Sequence, residues 1–99
     1  KKYFGKYCEV DEQIKYEWAR IPHFYSSFYV YKYATGFTSA VAIVDNIEKN
    51  GQEAVDKYLE FLKSGCIAYQ LELLKKTDVD LTTKEPIQKG IDFFEEILN

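Results

Sequence analysis

The chain has no methionine, one histidine, one tryptophan, two prolines and two cysteines in 99 residues. Each scarcity excludes something. A zinc centre needs three or four side-chain donors converging on one point, and His23 with the widely separated Cys8 and Cys66 does not supply them. There is no His-Glu-x-x-His pair, no paired-cysteine spacing and no glycine-rich phosphate loop. Small secreted scaffolds carry more cysteines at tighter spacing, so Cys8 and Cys66 read as reduced, small, buried or half-buried thiols of a cytoplasmic protein. Basic charge is also short: 13 Lys and Arg face 16 Asp and Glu, for a net charge of −3. That balance argues against nucleic acid as a partner, which needs a basic face. No apolar run is long enough to span a bilayer; the longest, around Phe37 to Val44, is interrupted by Thr38 and Ser39. The opening Lys1-Lys2-Tyr3-Phe4 has neither an initiator methionine nor a signal-peptide pattern and starts in mid-pattern, as a piece of a longer protein does.

What the chain has in abundance is aromatic side chains, concentrated in one place. Seven of the fourteen positions from Phe24 to Phe37 are aromatic, four of them tyrosine, and they follow directly on Pro22 and His23. Ordinary cores are built from Leu, Ile and Val. A dense set of phenols beside an imidazole puts many O–H and N–H donors together, and such donors must find partners. A surface that hydrogen-bonds a polar ligand supplies them.

The periodicity predicts an all-α chain, an antiparallel bundle of about five helices with short loops. Residues 1–10 carry no clear period and read as a loop or the tail of an earlier element. Asp11 is placed to cap a helix from Glu12 to about Arg20, with Ile14, Trp18 and Ile21 at helical spacing and a break at Ile21-Pro22. From Phe24 to Asn50 the pattern is helical and apolar nearly all round, which predicts a helix buried on most sides. In it Phe24, Phe28, Tyr31 and Thr35 form one stripe and Tyr25, Tyr29 and Tyr33 another, and Gly36 suggests close approach of a neighbour. Asn50-Gly51 ends this helix. A third runs from Gln52 to Lys63 with Ala54, Val55, Tyr58, Leu59 and Leu62 inward, and Ser64-Gly65 stops it. A shorter one lies near Tyr69 to Lys76 with Leu71, Leu74 and Leu73 inward. After a connector at Asp78 to Leu81, Thr82 and Glu85 have capping-box spacing with Pro86 in the first turn, and Ile87, Ile91, Phe94 and Leu98 recur on one face.

No complete catalytic set is present. Glu95-Glu96 and Asp78/Asp80 are carboxylate pairs of the kind that usually make a solvated face. His23 alone would most often be structural, and a tyrosine stripe alone would most often be core. Their combination after Pro22 places two kinds of donor where a ligand can bridge them.

Trp18-Ala19-Arg20-Ile21-Pro22-His23-Phe24-Tyr25, followed by Phe28-Tyr29-Val30-Tyr31-Lys32-Tyr33-Ala34-Thr35-Gly36, resembles the C-terminal signature of the oligoendopeptidase F family, bacterial zinc peptidases related to thimet oligopeptidase. Later blocks agree: Tyr58 to Gly65, Leu71 to Lys76, Val79 to Thr83 and Glu85-Pro86-Ile87. The similarity runs from about Tyr3 to Leu98. Gln70 stands where the family usually has Pro, and Gly90 where a stronger helix former is usual. The resemblance implies a nearly all-helical enzyme whose two lobes enclose a channel. It also implies a zinc ion held by residues outside this chain, so that residues 1–99 are the C-terminal segment of the catalytic domain. It assigns His23 and Tyr31 to substrate binding and transition-state stabilisation, with Tyr25 and Tyr29 as weaker substrate-binding candidates. The thimet branch has a longer interval with a glycine-rich loop between these positions, absent here, so its additional tyrosine is not carried over.

Two functional classes follow. In the first, the chain is the substrate-binding segment of a zinc endopeptidase acting on oligopeptides, inactive by itself and prone to self-association through its exposed aromatic face. In the second, it is a stand-alone helical module whose aromatic groove grips a peptide or a partner helix. A purely structural all-α domain ranks last. A regular helix would separate His23 from Tyr31 by about 12 Å along its axis, so both reach one substrate only if the chain bends after Pro22 or if they touch different peptide units.

Overall fold

The computed structural model describes residues 5–98, and every regular element among them is helical. The chain divides into two compact units, one ending at Tyr31 and one beginning at Lys32. The resemblance at Tyr3 and the start of the expected opening loop lie outside the described residues.

In the first unit Asp11 caps as expected, its carboxylate accepting from the Gln13 N–H, but Glu12–Arg20 forms a 3-10 helix and not an α-helix. Short amphipathic segments draw most of their α-helical stability from packing, and none of these nine residues is buried. The tighter coil eclipses positions i and i+3. Glu17 and Arg20 use that register for an ion pair that holds the Glu17 carboxyl below its usual range. The expected break is present: Ile21 is extended (φ −91°, ψ 110°) before Pro22, and Pro22–Tyr25 forms a separate 3-10 turn.

The long aromatic helix expected from Phe24 is not formed. The chain turns through residues 26–30 and only Tyr31 starts α1 (Tyr31–Asn50). Ser26, Ser27, Phe28, Tyr29 and Val30 are all weak helix formers, and no residue from 22 to 29 is buried to compensate. Phe28 adopts a left-handed conformation (φ 56°) with its side chain 91% exposed. The two stripes drawn across 24–35 therefore do not exist as helix faces. Nor is α1 buried on most sides: its buried face is Thr38, Ser39 and Ala42. Thr38 and Ser39 are accommodated there because their hydroxyls donate back to the carbonyls of Ala34 and Thr35 at 2.9 and 2.7 Å.

The second unit has a small core of Ala42, Leu74 and Val79, against which Ile43, Phe61 and Leu81 pack. Gly51 ends α1 as expected, in a left-handed conformation (φ 60°), with its N–H on the Ile47 carbonyl, and α2 (Gln52–Lys63) starts immediately. Ala54 is buried and Tyr58 half-buried, but Leu59 and Leu62, expected inward, face out; Phe61 takes the core position. The stripe of Ala54, Tyr58 and Phe61 keeps the 3.6-residue period, so the face is rotated from the expected one. The short helix α3 (Gln70–Leu74) continues as a 3-10 turn through Thr77, burying Leu73 and Leu74 but leaving Leu71 exposed.

Asp80, and not a capping box, organises the approach to α4 (Glu85–Leu98). Its carboxylate accepts from both the Thr82 N–H and the Thr82 hydroxyl at 2.9 and 2.6 Å, so Thr82 is committed two residues back and the helix begins at Glu85 with Pro86 in its first turn. These bonds, the Thr82 hydroxyl's first, and the Lys75 ammonium hold the Asp80 carboxyl down to about 2. The buried face of α4 is Pro86 and Gly90, while Ile87, Ile91, Phe94 and Leu98 are all exposed. Gly36, expected to admit a neighbour, has nothing within 4 Å of a built Cβ, whereas a Cβ at Gly90 would lie 2.6 Å from Thr38 Cγ2. Close helix approach is therefore at Gly90.

Candidate functional site

Pro22 fixes φ and suits the first position of a helical turn, and it sets His23 in the four-residue 3-10 turn, whose His23 carbonyl accepts from the Ser26 N–H. The left-handed Phe28 then redirects the chain. As a result the His23 imidazole and the Tyr29 ring stack, centroids 5.4 Å apart and planes 12° from parallel. Near-parallel offset rings are a favourable aromatic arrangement. Tyr31 is the first residue of α1, with its side chain 63% exposed. The bend required after Pro22 is thus present, and the spacing of a regular helix between His23 and Tyr31 does not apply.

Tyr25 has a different place. Its hydroxyl donates to the Ala19 carbonyl, tying the second 3-10 turn back to the end of the first. Its donor is used within the fold, which leaves the oxygen only as an acceptor for a ligand. Of the four expected site residues, the structure brings His23 and Tyr29 into ring contact, engages Tyr25 internally and leaves Tyr31 outward. Sequence reasoning missed the His23–Tyr29 stack because it ran a helix from Phe24 through Tyr29. The signal available was the Ser26-Ser27 pair between them.

The cysteines do not join this site. Both are free and both are exposed, which corrects the expectation of buried or half-buried thiols; each lies in an irregular segment with no core beneath it. Among the described residues no group of three or more His, Cys, Asp or Glu side chains is placed to hold a metal ion. No helix of the described residues is long and apolar enough to cross a membrane.

A concave surface lies within the second unit, between α1 and α4. Phe37, Val44, Phe93 and Ile97 form its apolar floor, and Glu48, Asp92 and Glu96 stand on its rim. Lys89 bridges the two helices through Asp45 at 3.0 Å and also pairs with Glu85. Lys49 and then Lys89 hold the Asp45 carboxyl below its usual range. Burial alone would push the Lys89 ammonium down, but Asp45 and Glu85 outweigh it and leave it raised.

Comparison with known proteins gives the family of the chain. The chain is 50% identical over 99 residues to the oligopeptidase PepF of Bacillus subtilis (strain 168), covering all of this chain and 15% of that protein. It is 49% identical over 94 residues to an oligoendopeptidase F homolog of Borreliella burgdorferi, covering 95% of this chain and 16% of that protein. With an oligoendopeptidase F homolog of Lactococcus lactis subsp. lactis the identity is 41% over 98 residues, 99% of this chain and 16% of the other. The chain thus spans about one-sixth of the length of the curated relatives it matches. No solved structure matches it. The family model described as peptidase family M3 matches residues 1–93, and on that match, together with whole-chain similarity to named oligopeptidases, the chain belongs to peptidase family M3.

Proposed function

We propose that this chain is the substrate-contacting segment of a metalloendopeptidase that hydrolyses internal bonds of oligopeptides, and that it is inactive by itself. The observation that carries the reading is the turn from Pro22 to Tyr31, which sets an imidazole and an outward phenol on either side of a bend in a chain of this family. In this reading His23 donates a ring N–H to a substrate carbonyl. Tyr31 donates its phenol O–H to the scissile carbonyl oxygen as that oxygen gains negative charge. A preoriented donor of this kind acts more on the transition state than on the bound substrate, and its removal typically costs about 10²–10³ in kcat. Tyr25, through its acceptor oxygen, borders the same peptide.

Zinc is implied by the family resemblance, and the donors of this chain do not fit a zinc centre: one histidine, stacked on a tyrosine, and two cysteines in separate units. In this reading the metal is held by residues outside this chain. Two exposed unpaired thiols suit a reducing compartment, in support of a cytoplasmic setting.

The test is Tyr31→Phe in the longer peptidase that contains this chain. A fall in kcat of two to three orders of magnitude with little change in KM is expected, and near-normal turnover would remove Tyr31 from its role. The 99-residue chain alone is expected to cleave no peptide. Its exposed apolar surface, including Phe37, Phe93 and Ile97, is expected to drive self-association; sedimentation as a monomer at high concentration would overturn that. The α1/α4 groove favours a second reading, a module that grips a partner helix. Tight binding of an amphipathic peptide to this chain, lost in Phe93→Ser, would favour it.

A further inference from the structure

We propose that Tyr29 is a positioning residue for His23, its ring fixing the plane in which the imidazole presents an N–H to substrate. This rests on the reading of His23 as a substrate contact. The argument begins with what the backbone would do otherwise. In a continuous α-helix, residues six apart point about 120° away from each other and lie about 9 Å apart along the axis, so rings at positions 23 and 29 could not stack. They stack at 5.4 Å and 12° because the chain leaves the 3-10 turn, passes through Ser26 and Ser27, and takes a left-handed step at Phe28. A bulky residue at positive φ is a strained conformation, and Phe28 gains no burial from it. What the step achieves is the return of Tyr29 over His23.

The χ2 of a histidine has a broad, roughly two-fold preference, and a ring stacked on its face narrows it. The stacked ring engages one face of the imidazole, while the ring nitrogens lie in the plane at its edge. Tyr25 anchors the other end of the turn through the Ala19 carbonyl. The phenol oxygen of Tyr29 has no part in this role; only its ring is required.

The experiment combines spectroscopy with a double-mutant cycle. His23 is the only histidine of the chain, so its ring protons are unambiguous by NMR. In the 99-residue chain they are expected to show an upfield ring-current shift and cross-relaxation to the Tyr29 ring. Both should persist in Tyr29→Phe and vanish in Tyr29→Leu. In the longer peptidase Tyr29→Leu is expected to lose about 3–10-fold in kcat, more than Tyr29→Phe, which keeps the ring. The decisive arm is His23→Ala with and without Tyr29→Leu. A residue that acts only through His23 adds no loss once His23 is gone. Additive losses, or a Tyr29→Phe as damaging as Tyr29→Leu, would overturn the positioning role and leave His23 in place. An unchanged rate in His23→Ala would overturn the reading of His23 itself, and the positioning role with it.

Discussion

The two units of the chain are held together by different means. Through Tyr31, the bonds seen are local: Asp11 to Gln13, Glu17 to Arg20, Tyr25 to Ala19, and the stack of His23 on Tyr29. Neither 3-10 element there buries a residue. From Lys32 on, the chain has a core, and its polar ties cross long stretches of sequence. Asn46 donates to the Thr77 carbonyl, Lys57 pairs with Asp78 and Lys89 with Asp45. The region that carries the candidate site chemistry is therefore the one whose shape depends on turn geometry, and the core lies in the other. Mutations are expected to separate stability from the proposed function.

The contrast is broken most strongly by a cavity. Leu74→Ala empties part of the Ala42–Leu74–Val79 core and is expected to cost about 2–5 kcal/mol, read as a lower urea midpoint. Trp18→Ala, a larger truncation in the first unit at a half-exposed side chain, should move the same midpoint by less than about 0.5 kcal/mol. Equal effects would mean that the first unit shares the cooperative core.

Gly90→Ala comes next. The added Cβ would meet Thr38 Cγ2 at 2.6 Å and Thr38 Cβ at 3.3 Å, and overpacking of this kind costs about 1–3 kcal/mol. Gly36→Ala, with nothing near it, should instead stabilise α1 by about 0.5–1 kcal/mol. Thermal unfolding of the pair should shift in opposite directions. Smaller again is Tyr25→Phe, which removes the tie to the Ala19 carbonyl. It should cost at most about 1 kcal/mol, with hydrogen exchange rising around residues 19–26 and not in α1.

The smallest effect concerns acid. The folded Asp80 carboxyl titrates at about 2, below its ordinary value, because of Thr82 first and Lys75 after it. A depressed carboxyl contributes stability that is complete above its unfolded value of about 4 and is lost as pH falls towards 2. Stability of the parent chain should therefore decline over that window more than that of Asp80→Asn, a difference measured by urea titration at pH 4 and pH 2.

The units also differ in how much of them was legible in the sequence. Asp11, the Ile21-Pro22 break, the Asn50-Gly51 junction and the bounds of α2 all follow from capping and breaker chemistry, which acts within a few residues. In the aromatic segment apolar content does not make a helix. Tyr, Phe, Ser and Val favour a helix only when something buries them, and from 22 to 29 nothing does. Helix faces were harder still. Leu59, Leu62 and the Ile87–Leu98 stripe have the right period and yet face out, while Thr38, Ser39 and Gly90 are buried. Small residues mark where helices approach most closely, and apolar periodicity is blind to them. Of the candidate site, the residue types were readable. The stack, the Tyr25 tie and the left-handed Phe28 arise from a turn whose path no periodicity encodes.

One exposed thiol stands in each unit, Cys8 in the first and Cys66 in the second, and the chain has no others. A donor and an acceptor fluorophore can therefore be attached to the unaltered polypeptide by ordinary maleimide labelling. Energy transfer between them would read the distance between the two thiols and whether an added peptide changes it.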